Sequence, residues 1–218
     1  MMLTIWGRKS SFNVQKVLWL ADELGMPYHH VPAGGIEGSL NTVQYVAMNP
    51  TRRIPLIQWE GTPIWESHVI LRALAALDPQ RRFWSDDPVI RSQAERWMDW
   101  GQTALEPDLM TGLFWELVRT PQSQRDWSVI KEKIQRCEQH FFMLDDVLRK
   151  QPYLSGDRFG LGDIPVGASL FRYFTMDIER PDLPHVRNWY QQLQSRPAYR
   201  TNVMVSYETL RGVSARPT

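Results

Sequence analysis

The run Asn49-Pro50-Thr51-Arg52-Arg53-Ile54-Pro55-Leu56, followed shortly by Gly61-Thr62-Pro63-Ile64-Trp65-Glu66-Ser67, constrains the fold of this chain more than any other segment. Pro55 has no backbone N–H and restricts the residue before it, so it belongs at the entrance of a strand. Leu56 to Trp59 and Pro63 to Trp65 read as two strands around a tight turn at Glu60-Gly61, and a helix opens at Glu66-Ser67. Cis peptide bonds are almost confined to X-Pro, and a cis Ile54-Pro55 bond would turn the Ile54 backbone outward to face a ligand. The helix start at Ser67 offers unsatisfied N–H groups and a positive dipole end to a carboxylate. The segment therefore suits a peptide-like anion laid along a sheet edge.

The flanking pattern places that segment in a domain. Leu3 to Trp6 is a short apolar strand. Val14, Val17, Leu18, Ala21 and Leu24 follow helical spacing, and Gly25 closes the helix. Tyr28 to Val31 reads as a second strand, residues 33–38 as a glycine-rich loop, and residues 40–45 as a weak helical turn. Val69 or Ile70, then Ala73, Leu74 and Leu77, give a third helix. The order β-α-β-α-β-β-α resembles the thioredoxin fold. Residues 79–88 form a charged, proline-bounded linker, and everything beyond is helical. One long helix is expected from Ser92 to about Leu117, bent near Gly101 or Pro107. A second carries Ile130, Ile134, Cys137, Phe141, Leu144 and Leu148 on one stripe. Further helices are expected from Gly162 to Thr175, from Leu183 to Ser195, and briefly from Pro197. The reading is an α/β thioredoxin-like domain over 1–78, a linker over 79–88, an all-helical domain over 89–206 and a tail over 207–218.

Composition narrows the function classes. A net charge of +1 gives no case for nucleic acid or an acidic membrane as partner. No apolar run approaches the roughly 18 residues of a membrane helix. The chain enters a strand pattern at once, without the basic region and apolar core of a signal peptide. Cys137 is the single cysteine, so no internal disulfide forms, and its place on an apolar stripe makes it a core residue. A cytoplasmic location is expected.

Asn49 through Pro55, with Glu66-Ser67, resembles the N-x-x-x-x-[VI]-P…E-S signature of the cytosolic glutathione transferases, of the theta-, beta- and nu-like bacterial type. The second half resembles the family too: Tyr153 through Ile164 looks like its loop capping a buried helix. The family usually has Ser or Thr where this chain has Gly160. The hydroxyl cap is then missing, at a cost of a few tenths of a kcal/mol, while Asp163 still bonds backward into the loop.

The resemblance implies an enzyme that makes the glutathione thiol nucleophilic, with glutathione as co-substrate and no cofactor or metal. A free thiol has a pKa near 8.5, and a helix N-terminus with a hydroxyl donor lowers it. Ser11, where the first strand hands over to the first helix, resembles the serine that meets the thiol in theta- and tau-like members. It would donate a hydrogen bond. Asn13 resembles the asparagine of a Thr-x-Asn turn in bacterial members, and Ser10 is the local competitor. From the residues alone, Ser10 or Ser11 simply caps the helix. For the tripeptide, the resemblance implies Ile54 backbone groups on the cysteinyl backbone and Ser67 on the γ-glutamyl carboxylate. Glu66 would receive the ammonium and Arg53 the glycyl carboxylate, with Arg52 a weaker choice. Phe12, Trp97, Trp100, Phe114 and Trp115 are the candidates for an aromatic pocket holding a hydrophobic electrophile. A homodimer is implied. The alternatives are glutathione-dependent peroxide or disulfide reduction on the same fold, or a non-catalytic binding or regulatory protein.

Overall fold

The computed structural model describes residues 3–213. Two compact units emerge: residues 3–91 together with Pro197–Val205, and Ser92–Arg196 together with residues 206–213.

The first unit is built on a four-stranded sheet in the order β2-β1-β3-β4. Strand β1 (Leu3–Trp6) runs parallel to β2 (Tyr28–Val31) and antiparallel to β3 (Leu56–Trp59), which pairs in turn with β4 (Thr62–Trp65). Helix α1 (Phe12–Leu24) makes the crossover between the parallel strands, α2 (Val43–Met48) precedes β3, and α3 (Ser67–Leu77) follows β4. α1 is buried on nearly every face, from Val14 to Ala21. It packs against α3 and against α9 (Pro197–Asn202), where Tyr199 meets Trp19 edge-on at 4.8 Å. Asn202 Nδ2 donates to Asp22 Oδ2 at 2.6 Å. Residues 197–205 therefore cluster with the first unit, whereas local periodicity assigned all of 89–206 to the helical domain. A long-range aromatic pair decides this, and helical spacing carries no trace of it.

The expected long helix runs unbroken from Pro88 to Arg119, its first residues counted with the first unit and the rest with the second, but changes width. α4 (Pro88–Trp100) opens into π-helical turns at Gly101–Leu105, returns to α5 (Glu106–Asp108), and widens again over Leu109–Arg119. The two widenings begin near the positions where a bend was expected, and π turns are a common device for such bends. α6 (Trp127–Leu148), α7 (Asp163–Thr175) and α8 (Pro184–Ser195) complete the bundle. Phe141 stacks on Tyr173 at 3.8 Å, and Cys137 is fully buried with its thiol pKa pushed up to about 12 by desolvation.

α7 is as deeply buried as α1, and its N-terminus shows how the loop works without a hydroxyl at Gly160. Asp163 accepts hydrogen bonds from the N–H groups of Leu154, Ser155 and Gly160 at 2.8, 3.3 and 3.0 Å. Ser155 Oγ accepts from Gly162 N at 3.0 Å. A Cβ at Gly160 would lie 2.8 Å from Ser155 Cβ and Oγ. The capping hydroxyl is thus not lost; it reaches the turn from Ser155, in space that a side chain at position 160 would occupy.

Candidate active site

Register fixes where the site lies. Trp6 pairs with Val31 on one side and Leu56 on the other, and Leu56 pairs with Trp65. These four residues form one terminal rung, so the loops after β1, β2 and β4 and the segment before β3 leave from the same edge of the sheet. Every residue read from the sequence as a glutathione contact lies on one of those segments, or in the first turn of the helix that follows.

The loop after β1 holds Gly7 to Ser11. Gly7 has φ 150, and a Cβ there would fall 2.4 Å from Val14 Cγ2, so only glycine lets strand and helix approach this closely. His30 Nε2 donates to the Gly7 carbonyl at 2.7 Å, and buried Gln15 donates its amide to the Lys9 carbonyl at 3.0 Å. Ser11 is the N-cap residue of α1, yet its side chain makes no cap hydrogen bond. Plain capping by Ser11 is therefore not what the geometry displays; the hydroxyl is left for another partner.

Asn13 and Ser67 are brought together across 54 positions of chain. Ser67 Oγ donates toward Asn13 Oδ1 at 3.5 Å, a long contact that places the first turns of α1 and α3 side by side. It leaves the Asn13 amide N–H groups as donors. Ser67 is buried and Glu66, its N-cap neighbour, is exposed at φ 69. A non-glycine residue in that region is strained by roughly 1–3 kcal/mol, a feature that collects at ligand sites.

The Ile54-Pro55 bond is cis. Ile54 precedes the β3 ladder, and no hydrogen bond to its backbone forms among the described residues. The loop ahead of it is stapled by buried Asn49: its amide donates to the Arg53 carbonyl at 2.9 Å, and its Oδ1 accepts from Thr51 N and Oγ1 at 3.0 and 2.7 Å. Tyr45 adds a phenolic hydrogen bond to the same carbonyl at 2.7 Å, and burial pushes its pKa up to about 12. This explains the asparagine of the motif: it shapes the loop that presents Ile54. The Arg53 side chain itself points to solvent.

Sequence reasoning missed a buried pair beneath these turns. Lys16 Nζ lies 3.2 Å from His68 Nε2 and 4.3 Å from the Phe12 ring centroid, with both residues buried. Desolvation first, then the charges of Lys16 and Arg72, push the His68 pKa down to about 2, so a neutral imidazole accepts from the lysine ammonium. A lysine inside an apolar helical stripe was the available signal. The aromatic set is less united than expected. Phe12 is buried under Lys16, and Phe114 is buried edge-on to Tyr207 beneath the Arg172 guanidinium. Both are core residues of their own units. Trp97 and Trp100 contact one another edge-on at 5.7 Å, and Trp115 lies under Arg119.

The half-buried Ile54, its backbone unpaired ahead of cis-Pro55, and the N-termini of α1 and α3 leave one end of the sheet in a thioredoxin-like unit that is followed by a helical one. Models of the glutathione S-transferase N-terminal domain and C-terminal domain match residues 10–77 and 107–197. Glutathione S-transferase GstB of Escherichia coli is 39% identical over 206 residues, covering 94% of this chain and 99% of that one. The theta class glutathione S-transferase of Xanthomonas axonopodis pv. citri with glutathione bound superposes with a TM-score of 0.88 at 41% identity, covering 94% and 98%. Its apo form gives 0.81 at 37%, covering 94% and 97%. The chain belongs to the glutathione S-transferase family and is a transferase.

Proposed function

We propose that this protein conjugates glutathione to hydrophobic electrophiles, with the thiol seated at the mouth of α1. Ser11 donates its uncommitted hydroxyl to the sulfur, and the Asn13 amide, oriented by Ser67, adds a second donor. Both bonds are stronger to a thiolate than to a thiol, and the helix dipole acts in the same sense. Each unit of pKa depression is worth about 1.4 kcal/mol of thiolate preference. The Ile54 backbone pairs with the cysteinyl backbone as an added strand would. Ser67 and the α3 N-terminus take the γ-glutamyl carboxylate, and exposed Glu66 takes its ammonium. Arg53 is the candidate that the family motif offers for the glycyl carboxylate. The observation that carries the reading is the meeting of Asn13 and Ser67 beside the unpaired Ile54 backbone.

No cofactor is needed by this chemistry, since glutathione is the second substrate. A homodimer is supported by the exposed apolar residues Trp65, Val69, Leu77, Val89 and Ile90 within the first unit. A cytoplasmic, detoxifying role is supported by the lone buried cysteine, in an enzyme whose nucleophile comes from a soluble cellular thiol. No described helix is long and apolar enough to cross a membrane.

Ser11→Ala tests the mechanism against Ser67→Ala. Ser11→Ala should lower kcat/KM about tenfold to a hundredfold and raise the bound thiol pKa, with glutathione affinity within a few-fold. Ser67→Ala should weaken glutathione binding. Unchanged thiol pKa and turnover in Ser11→Ala would move the role to Ser10 or Asn13.

A further inference from the structure

The sheet order sets a direction for any peptide lying along the terminal rung. With its α-amino acid end at the β4–α3 junction and its middle at Ile54, ahead of β3, the far end lies over β1 and β2. Strands sit about 4.8 Å apart, so the path from β4 across β3 to β1 is roughly 10 Å. Three extended residues span about that length.

Arg8 stands where this path ends. It is half-buried in the loop after β1, and its side chain lies over Gly35 in the loop after β2. A Cβ on Gly35 would be 3.3 Å from Arg8 Cδ and 3.4 Å from Nη1. Gly35 is at φ 64, so backbone and space both call for glycine under the guanidinium. Neighbouring Gly34 is in the same loop, and its Cβ would be 3.1 Å from Ile54 Cδ1. A hollow of about 400 Å³ opens beside them, lined by Gly34, Gly35, Gly38, Ser39, Leu40 and Thr42. Among the described residues no hydrogen bond or ion pair reaches the Arg8 guanidinium, and burial is what moves its pKa, downward. An arginine drawn out of water with no internal acceptor is a site prepared for an anion.

The geometry points to Arg8, lying on the glycines of the β2–α2 loop, as the residue that receives the glycyl carboxylate of glutathione, in place of Arg53. This assignment rests on the proposed orientation of glutathione. Arg53 is solvent-exposed on the segment before Ile54, where its carbonyl, not its side chain, is held by Tyr45 and Asn49. A guanidinium forks onto a carboxylate with two parallel hydrogen bonds, and a half-buried one is screened less than one in solvent.

The test compares glutathione with its glycyl monoethyl ester, which keeps the thiol and the γ-glutamyl group and removes the far carboxylate. Affinity is followed by calorimetry, and KM and kcat are measured with a chlorodinitrobenzene electrophile. The wild-type protein should prefer the free acid by roughly tenfold or more in Kd. Arg8→Met should collapse that preference to within about twofold through a change in KM rather than kcat. Arg8→Lys should restore part of it, and Arg53→Met should leave it intact. A wild-type preference that survives in Arg8→Met, or that disappears in Arg53→Met, overturns the assignment. So does a wild-type protein that binds both thiols equally. If the wild-type protein binds neither, the glutathione orientation falls, and the Arg8 assignment with it.

Discussion

Acidification should destabilise this protein through His68, and the size of the effect can be worked out. His68 is 3% exposed, beside the Lys16 ammonium, and its pKa is pushed from 6.5 to about 2 by burial and two neighbouring cations. The folded state keeps the ring neutral, whereas the unfolded chain protonates it below about pH 6.5. A depressed folded pKa means stability that is complete above the unfolded value and lost as pH falls toward the folded one. Each pH unit in that window removes about 1.4 kcal/mol, so acidifying from about pH 7.5 to about pH 5 should remove about 2 kcal/mol. Buried Asp163 works in the opposite sense. Desolvation raises its pKa from 3.8 to about 6, so its contribution is largest below 3.8 and is lost as pH rises through about 6. The total pH dependence therefore mixes the two groups, and the informative quantity is a difference. Urea unfolding of wild type and His68→Gln at both pH values isolates it: Gln keeps an acceptor for Lys16 but does not titrate. The variant should be less stable at neutral pH yet lose about 2 kcal/mol less on acidification. Parallel losses, within about 0.5 kcal/mol, would refute a neutral His68 in the fold.

Two other expectations follow from the same contacts. Asn49→Ala removes three hydrogen bonds from the loop that presents Ile54; at about 1 kcal/mol each it should cost about 2–3 kcal/mol in denaturant unfolding and weaken glutathione binding. Val69→Glu combined with Ile90→Glu places charges at two exposed apolar positions of the first unit and should shift the molar mass by light scattering from that of the proposed dimer to that of a monomer, with helical content by circular dichroism unchanged.

Local chemistry made much of this molecule legible and long-range packing hid the rest. The β3–β4 hairpin was readable because Glu60-Gly61 needs two positive φ values, and Gly61 takes one freely while Glu60 is at φ 49. The opening of α3 at Ser67 and the closure of α1 at Gly25 were readable for similar reasons: cap positions restrict side chains strongly. The resemblance pointed to Asn13, Ile54 and Ser67, which the structure sets at one end of the sheet, but it said nothing of what each does for its neighbours. Asn49 appeared as a motif letter, and only its three hydrogen bonds reveal it as the staple behind Ile54. Gly160 appeared as a lost cap because the compensating hydroxyl, on Ser155, acts through a turn that no linear pattern specifies. Phe114 appeared as a pocket residue because helical spacing cannot tell a core aromatic from a lining one; the burial and the Tyr207 contact decide it. Arg8 is the sharpest case. In sequence Arg8 and Lys9 are two adjacent cations that the linear pattern does not tell apart. The distinction of Arg8 from Lys9 is the strand pairing that lays it over Gly35, and β1 and β2 are neighbours only because α1 crosses between them. What separates a solvated charge from an anion site is thus the topology of the sheet, not the residue type.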